Sequence, residues 1–456
     1  MIDMDDPLDF EREDQLLKVP SINKKRKKVI GLDDLLNDHL IEQNKLKEQQ
    51  SKKAKARKDN HEDDDECGNE AMLSKIVEKC EKQMNELGGE EEISHWGVPA
   101  FGDQKAFPHL GFSELESCNL LQSFMNNKLN AVVELASEKG DMFLEGLLIN
   151  GWLPKLVFFG NHVEKSVASW AFNTMLYSTK EELQTCACDF WCAILSSTKE
   201  DGQLTVKIDW FPNYKDLRRA LDIYGFLFNF SSSAETMETD SSRGPPQSIS
   251  AWVRFVTACF LIRSQKAIFS AAEAEEMVEI FICLFLDRQL QGLWMLLNDC
   301  MQAAVNFFTD QEWSSSCENI AKFIACRVSK DLNCIQAVEC ISEVSSRCKQ
   351  LRSAVAYESL LPCFDGVISG EEIFRSLTAI NLKDKSCDLF KMYIYLVLLE
   401  NWILSNPVYD NDPVLYEMFC LYLKNCSCLI SSTDLRFYAS KIRNRAAYLL
   451  HFFIQT

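Results

Sequence analysis

Two basic runs hold the residues whose type and spacing could do chemistry in this chain. Lys24, Lys25, Arg26, Lys27 and Lys28 form the first, and Lys52, Lys53, Lys55, Arg57 and Lys58 the second. Exposed clusters of this kind attract nuclear import receptors and nucleic-acid phosphates. Between them Leu32, Leu35, Leu36, Leu40 and Ile41 recur at i, i+3, i+4, i+8 and i+9, one face of a helix. Asp33, Asp34 and Asp38 near its start suit the helix dipole. A helix this short is marginal by itself, so it either frays or docks in a groove on the body or a partner, and Leu32, Leu35, Leu36 and Leu40 are the expected partner-binding residues. A third basic set, Arg436, Lys441, Arg443 and Arg445, is expected on the outer face of the last helix, where it could meet phosphates.

Catalytic signatures are missing from the sequence. There is no G-x-x-x-x-G-K-[ST] loop, G-x-S-x-G elbow, H-E-x-x-H pair or G-x-G-x-x-G turn. The six histidines, at 39, 61, 95, 109, 162 and 451, are never at ligand spacing from one another. Cys186, Cys188 and Cys192 are the tightest sulfur group and Cys426 and Cys428 the next. A tetrahedral zinc site needs paired ligands from two segments; on a helix Cys188 and Cys192 share a face while Cys186 points elsewhere, so these read as core thiols. No metal, no cofactor, no small-molecule substrate and no enzymatic activity are expected.

The elements that must carry these residues follow from composition. The chain has 456 residues, 47% of them hydrophobic, with only 17 Gly and 11 Pro, too few for a turn-rich β fold. Residues 1–66 hold 14 Lys/Arg and 18 Asp/Glu with few aromatics, a composition that does not bury a core. Most of the formal charge of −19 therefore falls on the body, which repels phosphate backbones except at local basic patches. The 19 cysteines, among them Cys259, Cys283, Cys326 and Cys340, sit mostly in apolar helical runs, as reduced core thiols do, and point to cytosol or nucleus. The opening MIDMDDPLDF has no apolar leader and the longest apolar runs fall short of a membrane span, so a soluble, unsecreted protein is expected. The Asn229 and Asn425 glycosylation patterns are then coincidental.

In order, the chain reads as a disordered charged arm with nuclear signal and docking helix (1–66), a helix and extended linker (67–105), an N-terminal helical lobe (106–230), a flexible Ser/Thr/Pro linker (231–248) and a C-terminal helical lobe (249–456). Met72, Leu73, Ile76, Val77, Cys80, Met84 and Leu87 predict a helix that stops at Gly88 and Gly89. Trp96, Phe101 and Phe107 should hold the following Gly/Pro-rich connection against the body. Met277, Ile280, Phe281, Leu284 and Phe285 make the clearest helical stripe. The last helix should begin after Ser432 and Thr433 and turn Leu435, Tyr438, Ile442, Leu449, Leu450 and Phe453 to one side. Leu204–Trp210 alternates like a strand but has no evident partner. Phe158, Phe159, Trp170, Phe190, Trp191, Phe226 and Phe228 read as core. The fold class is all-α, an irregular HEAT-like helical array with a disordered N-terminal arm.

With LDF at Leu8 to Phe10, KKRKKVIGLDDLL at Lys24 to Leu36 and the long helical body, the chain resembles plant members of the CANIN-domain family, named for coiled-coil SMC-six and Nse-five interaction. The resemblance implies a domain over about 106–456 and a non-enzymatic nuclear subunit of the SMC five/six complex. Such a subunit pairs with a second helical protein and governs recruitment to chromatin or loading on DNA in damage repair, with at most indirect or weak DNA contact. The alternative from the residues alone is a nucleic-acid-binding helical protein acting through its basic arm. No membrane is involved in either.

Overall fold

Helix starts in this chain are written in its caps. Ser270, Thr309, Asn213 and Ser369 each accept a hydrogen bond from the amide three residues on, and Glu273, Glu312, Asp216 and Glu372 reach back to the cap amide. Each capping box satisfies two amides that a helix start leaves unpaired. Asp331, Ser345 and Asp388 cap three further helices by their side chains alone.

In the computed structural model these signals become fifteen α-helices among the described residues. Described are residues 96–108, 118–119, 122, 137–197, 204–228, 244–264, 266–364, 369–405 and 413–455. The chain divides between Glu86 and Leu87, and every described residue lies in the second unit. The arm, its basic runs, the leucine helix and the helix expected over 70–87 lie outside the described residues.

The helices are α1 (Ser137–Ile149), α2 (Trp152–Gly160), α3 (Lys165–Tyr177), α4 (Glu181–Ser196), α5 (Tyr214–Ile223), α6 (Ile249–Leu261), α7 (Ala271–Leu286), α8 (Trp294–Phe307) and α9 (Asp310–Arg327). They continue as α10 (Leu332–Glu339), α11 (Ser346–Leu360), α12 (Gly370–Thr378), α13 (Leu389–Leu404), α14 (Pro413–Leu429) and α15 (Ala439–Gln455). Helix packs on helix both next in sequence and next but one. One line runs α4 on α6 and α6 on α8; another runs α7 on α9, α9 on α11, α11 on α13 and α13 on α15. That pattern is how a stacked helical array buries its faces, and it gives the all-α fold expected.

Helix α7 shows what the array demands of its middle. The stripe of Met277, Ile280, Phe281, Leu284 and Phe285 is buried, but so are Val278, Ile282, Cys283 and Leu286 on the other side. The half of the helix from Ile280 to Leu286 is apolar all round and so belongs inside a layer, with neighbours on both flanks; here α8, α9 and α10 supply them. Among the described residues no single helix is long and apolar enough to cross a membrane.

The core does not stop at the Ser/Thr/Pro segment. Helix α6, which follows it, packs on α3 and α4, which precede it. Trp252 of α6 donates its indole N–H to the Leu217 carbonyl at 3.2 Å. Both expected lobes thus contribute to one cluster of buried side chains running from Ala100 to Leu449. Of the segment, residues 244–248 are described, and Pro246 and Ser248 are buried.

Leu204–Trp210 is not alone. Lys207–Ile208 (β2) pairs in parallel with His162–Val163 (β1), His162 opposite Lys207 and Val163 opposite Ile208. Two residues suffice because the pairing only ties the α2–α3 junction to a passing segment, with His162 Nε2 2.7 Å from Asp209 Oδ2. The last helix begins at Ala439, later than its serine and threonine suggested, because Asp434 and Arg436 hold 431–438 as turns. Leu435 is left 76% exposed, outside the stripe, while Tyr438, Ile442 and Leu449 are buried as expected.

Residues 96–108 form a strap laid across the body, as their aromatics suggested. Trp96 meets Trp294, Phe101 meets Phe226, and Phe107 meets Tyr177 and Tyr224. The backbone is sewn down as well: Val98 N donates to Leu286 O, Gly102 N to Gly225 O and Leu227 N to Ala100 O, at 3.0, 2.8 and 2.9 Å. Gly225 has φ +81°, and a Cβ there would lie 2.5 Å from the Asp103 carbonyl oxygen. Only glycine meets both conditions without strain.

Candidate functional site

The sulfur group on α4 is built as its spacing implied. Cys188 and Cys192 share a face, their sulfurs 3.9 Å apart, and Cys188 also reaches the Ala251 carbonyl at 3.6 Å. The hydrogen bond with Cys192 and burial together push the Cys188 thiol well up. Cys186 stands apart, beside Asp189 and Glu182, its thiol raised by burial. Cys426 is buried but Cys428 exposed. Cys326 is exposed too, against the expectation of a core thiol, because it lies on the outward side of α9, opposite the buried Ile320, Ala321 and Ile324. Among the described residues no group of three or more His, Cys, Asp or Glu side chains is arranged to hold a metal.

The basic set at the C-terminus is divided by the fold. Arg436 is spent on the chain itself. Its guanidinium is 2.7 Å from Asp434 Oδ2 and donates to the carbonyls of Leu382, Asp384 and Cys387. Arg445 is clamped between Glu400 of α13 and Glu339 of α10. Arg443 donates to the Ser431 carbonyl at 2.8 Å, and Lys441 lies over the Phe437 and Tyr438 rings. Arg436 and Arg445 act as internal ties, which leaves Lys441 and Arg443 as the members of the expected set without a carboxylate partner among the described residues. The ten arm cations and the four arm leucines lie outside the described residues.

Two open cavities indent the layer of α7, α9, α11 and α13. The first, of about 280 Å³, is walled by Phe226, Phe228 and Phe323 and floored by Ile280 and Cys283. Glu279 projects into it, and burial raises its carboxyl to about 8, helped by Glu276 and Glu275 and opposed by Arg327. The arginines at its rim are already committed. Arg327 stacks on Phe323 and donates to the Phe228 carbonyl, while Arg218 covers the Phe228 ring and pairs with Glu276. The second cavity, of about 350 Å³, lies between α9 and α11, with Tyr357 and Trp402 beside Glu318 and Glu358. Burial raises the Glu358 carboxyl as well. Neither cavity brings a nucleophile, a base and an oxyanion donor together.

The least expected surface is at the start of the array. Phe159 of α2 is 92% exposed and Trp152, two turns before it on the same face, 56%. Its apolar neighbours in the sequence suggest a core position for Phe159, and the fold corrects this. In the fold Leu153 and Val157 take the buried side of α2, and Phe159 is left on the other. The signal was present in the short helix itself: Trp152, Lys155 and Phe159 recur at i, i+3 and i+7 between Gly151 and Asn161, both left-handed. Phe158 and Phe228 are half-buried; Trp170, Phe190, Trp191 and Phe226 are core residues.

Comparison with models of known protein families and with curated proteins found no match to this chain.

Proposed function

We propose that this protein is a non-enzymatic nuclear scaffold. It pairs with a second helical protein and recruits or loads the SMC five/six complex during DNA damage repair. The observation that carries the reading is the stretch Lys24 to Leu36, a basic run leading directly into a leucine face, on which the resemblance to the CANIN-domain family rests. A stacked helical array with large apolar side chains exposed on its first helices is in keeping with a role in protein pairing. The commitment of Arg436 and Arg445 to internal carboxylates weighs against DNA binding by the body as the main activity.

The test is affinity purification from nuclear extract, comparing the full chain with one lacking residues 1–66. Recovery of SMC-complex subunits and a helical partner by the full chain is expected. Retention after truncation puts the main interface on the body; recovery of neither removes the reading and leaves nucleic-acid binding by the arm to be measured. Changing Leu35 and Leu36 to Asp should abolish the arm's own contact while the unfolding temperature of the body stays put.

A further inference from the structure

Helices α1 and α2 meet at 87° and both rest on α4. Leu144, Leu147 and Leu148 of α1 and Leu153 and Val157 of α2 are buried. The opposite sides form an apolar ledge of Met142 (72% exposed), Ile149, Trp152 and Phe159. Trp152 and Phe159 are separated by two helical turns, about 10 Å along the axis. That is the spacing of apolar residues at i and i+7 on a helix laid beside them.

Three lysines stand beside the ledge, and the carboxylates near them are already engaged: Glu145 with Lys180, Glu164 with the Asn119 amide and Asp209 with His162. Lys155 lies between the two aromatics, 4.8 Å from the centre of the Trp152 ring. Lys165 is exposed at the start of α3. Lys207 follows on β2, its amide bonded to the Asn161 carbonyl just past the end of α2. Among the described residues no carboxylate pairs with Lys155 or Lys165, and Lys207 reaches only Asp209, which His162 already holds at a shorter distance. Lys155 and Lys165 are thus cations without a carboxylate partner among the described residues, in a chain of formal charge −19. That arrangement favours an acidic occupant.

From this juxtaposition we infer that the α1–α2 ledge is the seat of an acidic amphipathic helix of the partner protein. The apolar residues of that helix at i, i+3 or i+4, and i+7 cover Trp152 and Phe159, and its carboxylates pair with Lys155 and Lys207. The inference rests on the proposed pairing with a helical protein and locates it. A nucleic acid would use the lysines but leave Phe159 uncovered, and a lipid surface would use both without helical spacing.

The test places p-benzoylphenylalanine at position 159 of the full chain and irradiates the complexes recovered from nuclear extract. The expected crosslink falls on a partner segment with helical apolar spacing and carboxylates within a turn of it. Lys155→Glu should lower the crosslinked yield about tenfold at an unchanged unfolding temperature. Crosslinking to nucleic acid, to lipid, to this chain itself or to a segment without carboxylates overturns the inference, as does a yield indifferent to Lys155→Glu. If SMC-complex subunits and the helical partner are recovered but position 159 crosslinks to none of them, the ledge falls and the proposed function stands. If no SMC-complex subunit is recovered yet an acidic helix is crosslinked, the ledge stands and the proposed function falls.

Discussion

Asp287 accepts a hydrogen bond from the backbone amide of Ala100 at 2.9 Å, and both residues are buried. Its other oxygen accepts from the Gln289 amide at 2.9 Å, starting the 3-10 turn that leads into α8. One carboxylate thus joins the strap to the end of α7 across 187 positions of sequence. Asp287→Ala leaves two amides without an acceptor, one of them deeply buried, and should cost about 2–3 kcal/mol. Urea unfolding of the full chain measures it, with amide exchange at 98–102 accelerating more than exchange in α13.

The strap also depends on Gly225. With φ +81° and the Asp103 carbonyl 2.5 Å from where a Cβ would stand, Gly225→Ala should destabilise by roughly 1–3 kcal/mol. Limited proteolysis should then cut within 100–106 before it cuts any helix. A cleavage pattern identical to the wild type's would show that the strap is held without this close approach.

Glu279 makes stability depend on pH in a direction opposite to that of an ordinary paired carboxylate. Burial raises its folded value from 4.5 to about 8, so between those limits the folded state binds the extra proton. Its contribution is then greatest below about 4.5 and declines as pH rises toward 8. Glu279→Gln, neutral throughout, should be the more stable chain at pH 9 by about 1 kcal/mol, a figure reduced because the group is partly open to water. Thermal melts of both chains from pH 5 to 9 test this: the difference should grow with pH, and a constant difference would refute it.

At the acid end the opposite sign applies to Glu312. The Thr309 amide and hydroxyl, and then Arg263, hold its carboxyl down at about 2. The stabilisation is present above 4.5 and is lost as pH falls toward 2. Glu312→Gln should lower the unfolding temperature at pH 7 and have a smaller effect near pH 2.

Arg445 separates a structural tie from a phosphate contact. It joins α15 to Glu400 of α13 and Glu339 of α10. Arg445→Ala should cost about 1–3 kcal/mol of stability, since it leaves partly buried carboxylates unpaired. The salt dependence of any DNA binding should stay the same. A flatter salt slope in this variant would return Arg445 to the phosphate-facing set.

Composition and periodicity were enough to determine the helical class but not every helix start, since the last helix begins at Ala439, past the Ser432 and Thr433 that suggest its cap. Few glycines, regular apolar stripes and Ser or Thr followed at N3 by Glu are local signals, and a capping box acts within four residues whatever surrounds it. They also determined that Cys188 and Cys192 share a face, since helical geometry alone sets that. What the sequence could not decide is which side of each stripe finds a neighbour. Phe159 and Phe190 look alike in apolar surroundings, yet one is exposed and the other buried, because α2 ends the layer on α4 while α4 lies within it. Arg445 and Arg443 look alike on one helix, yet only Arg445 meets Glu400 and Glu339, carboxylates 45 and 106 positions earlier. Burial and charge pairing depend on residues distant in sequence that only the packed array brings together. A capping box is local information, whereas the exposure of the α1–α2 ledge and the engagement of α15 are tertiary.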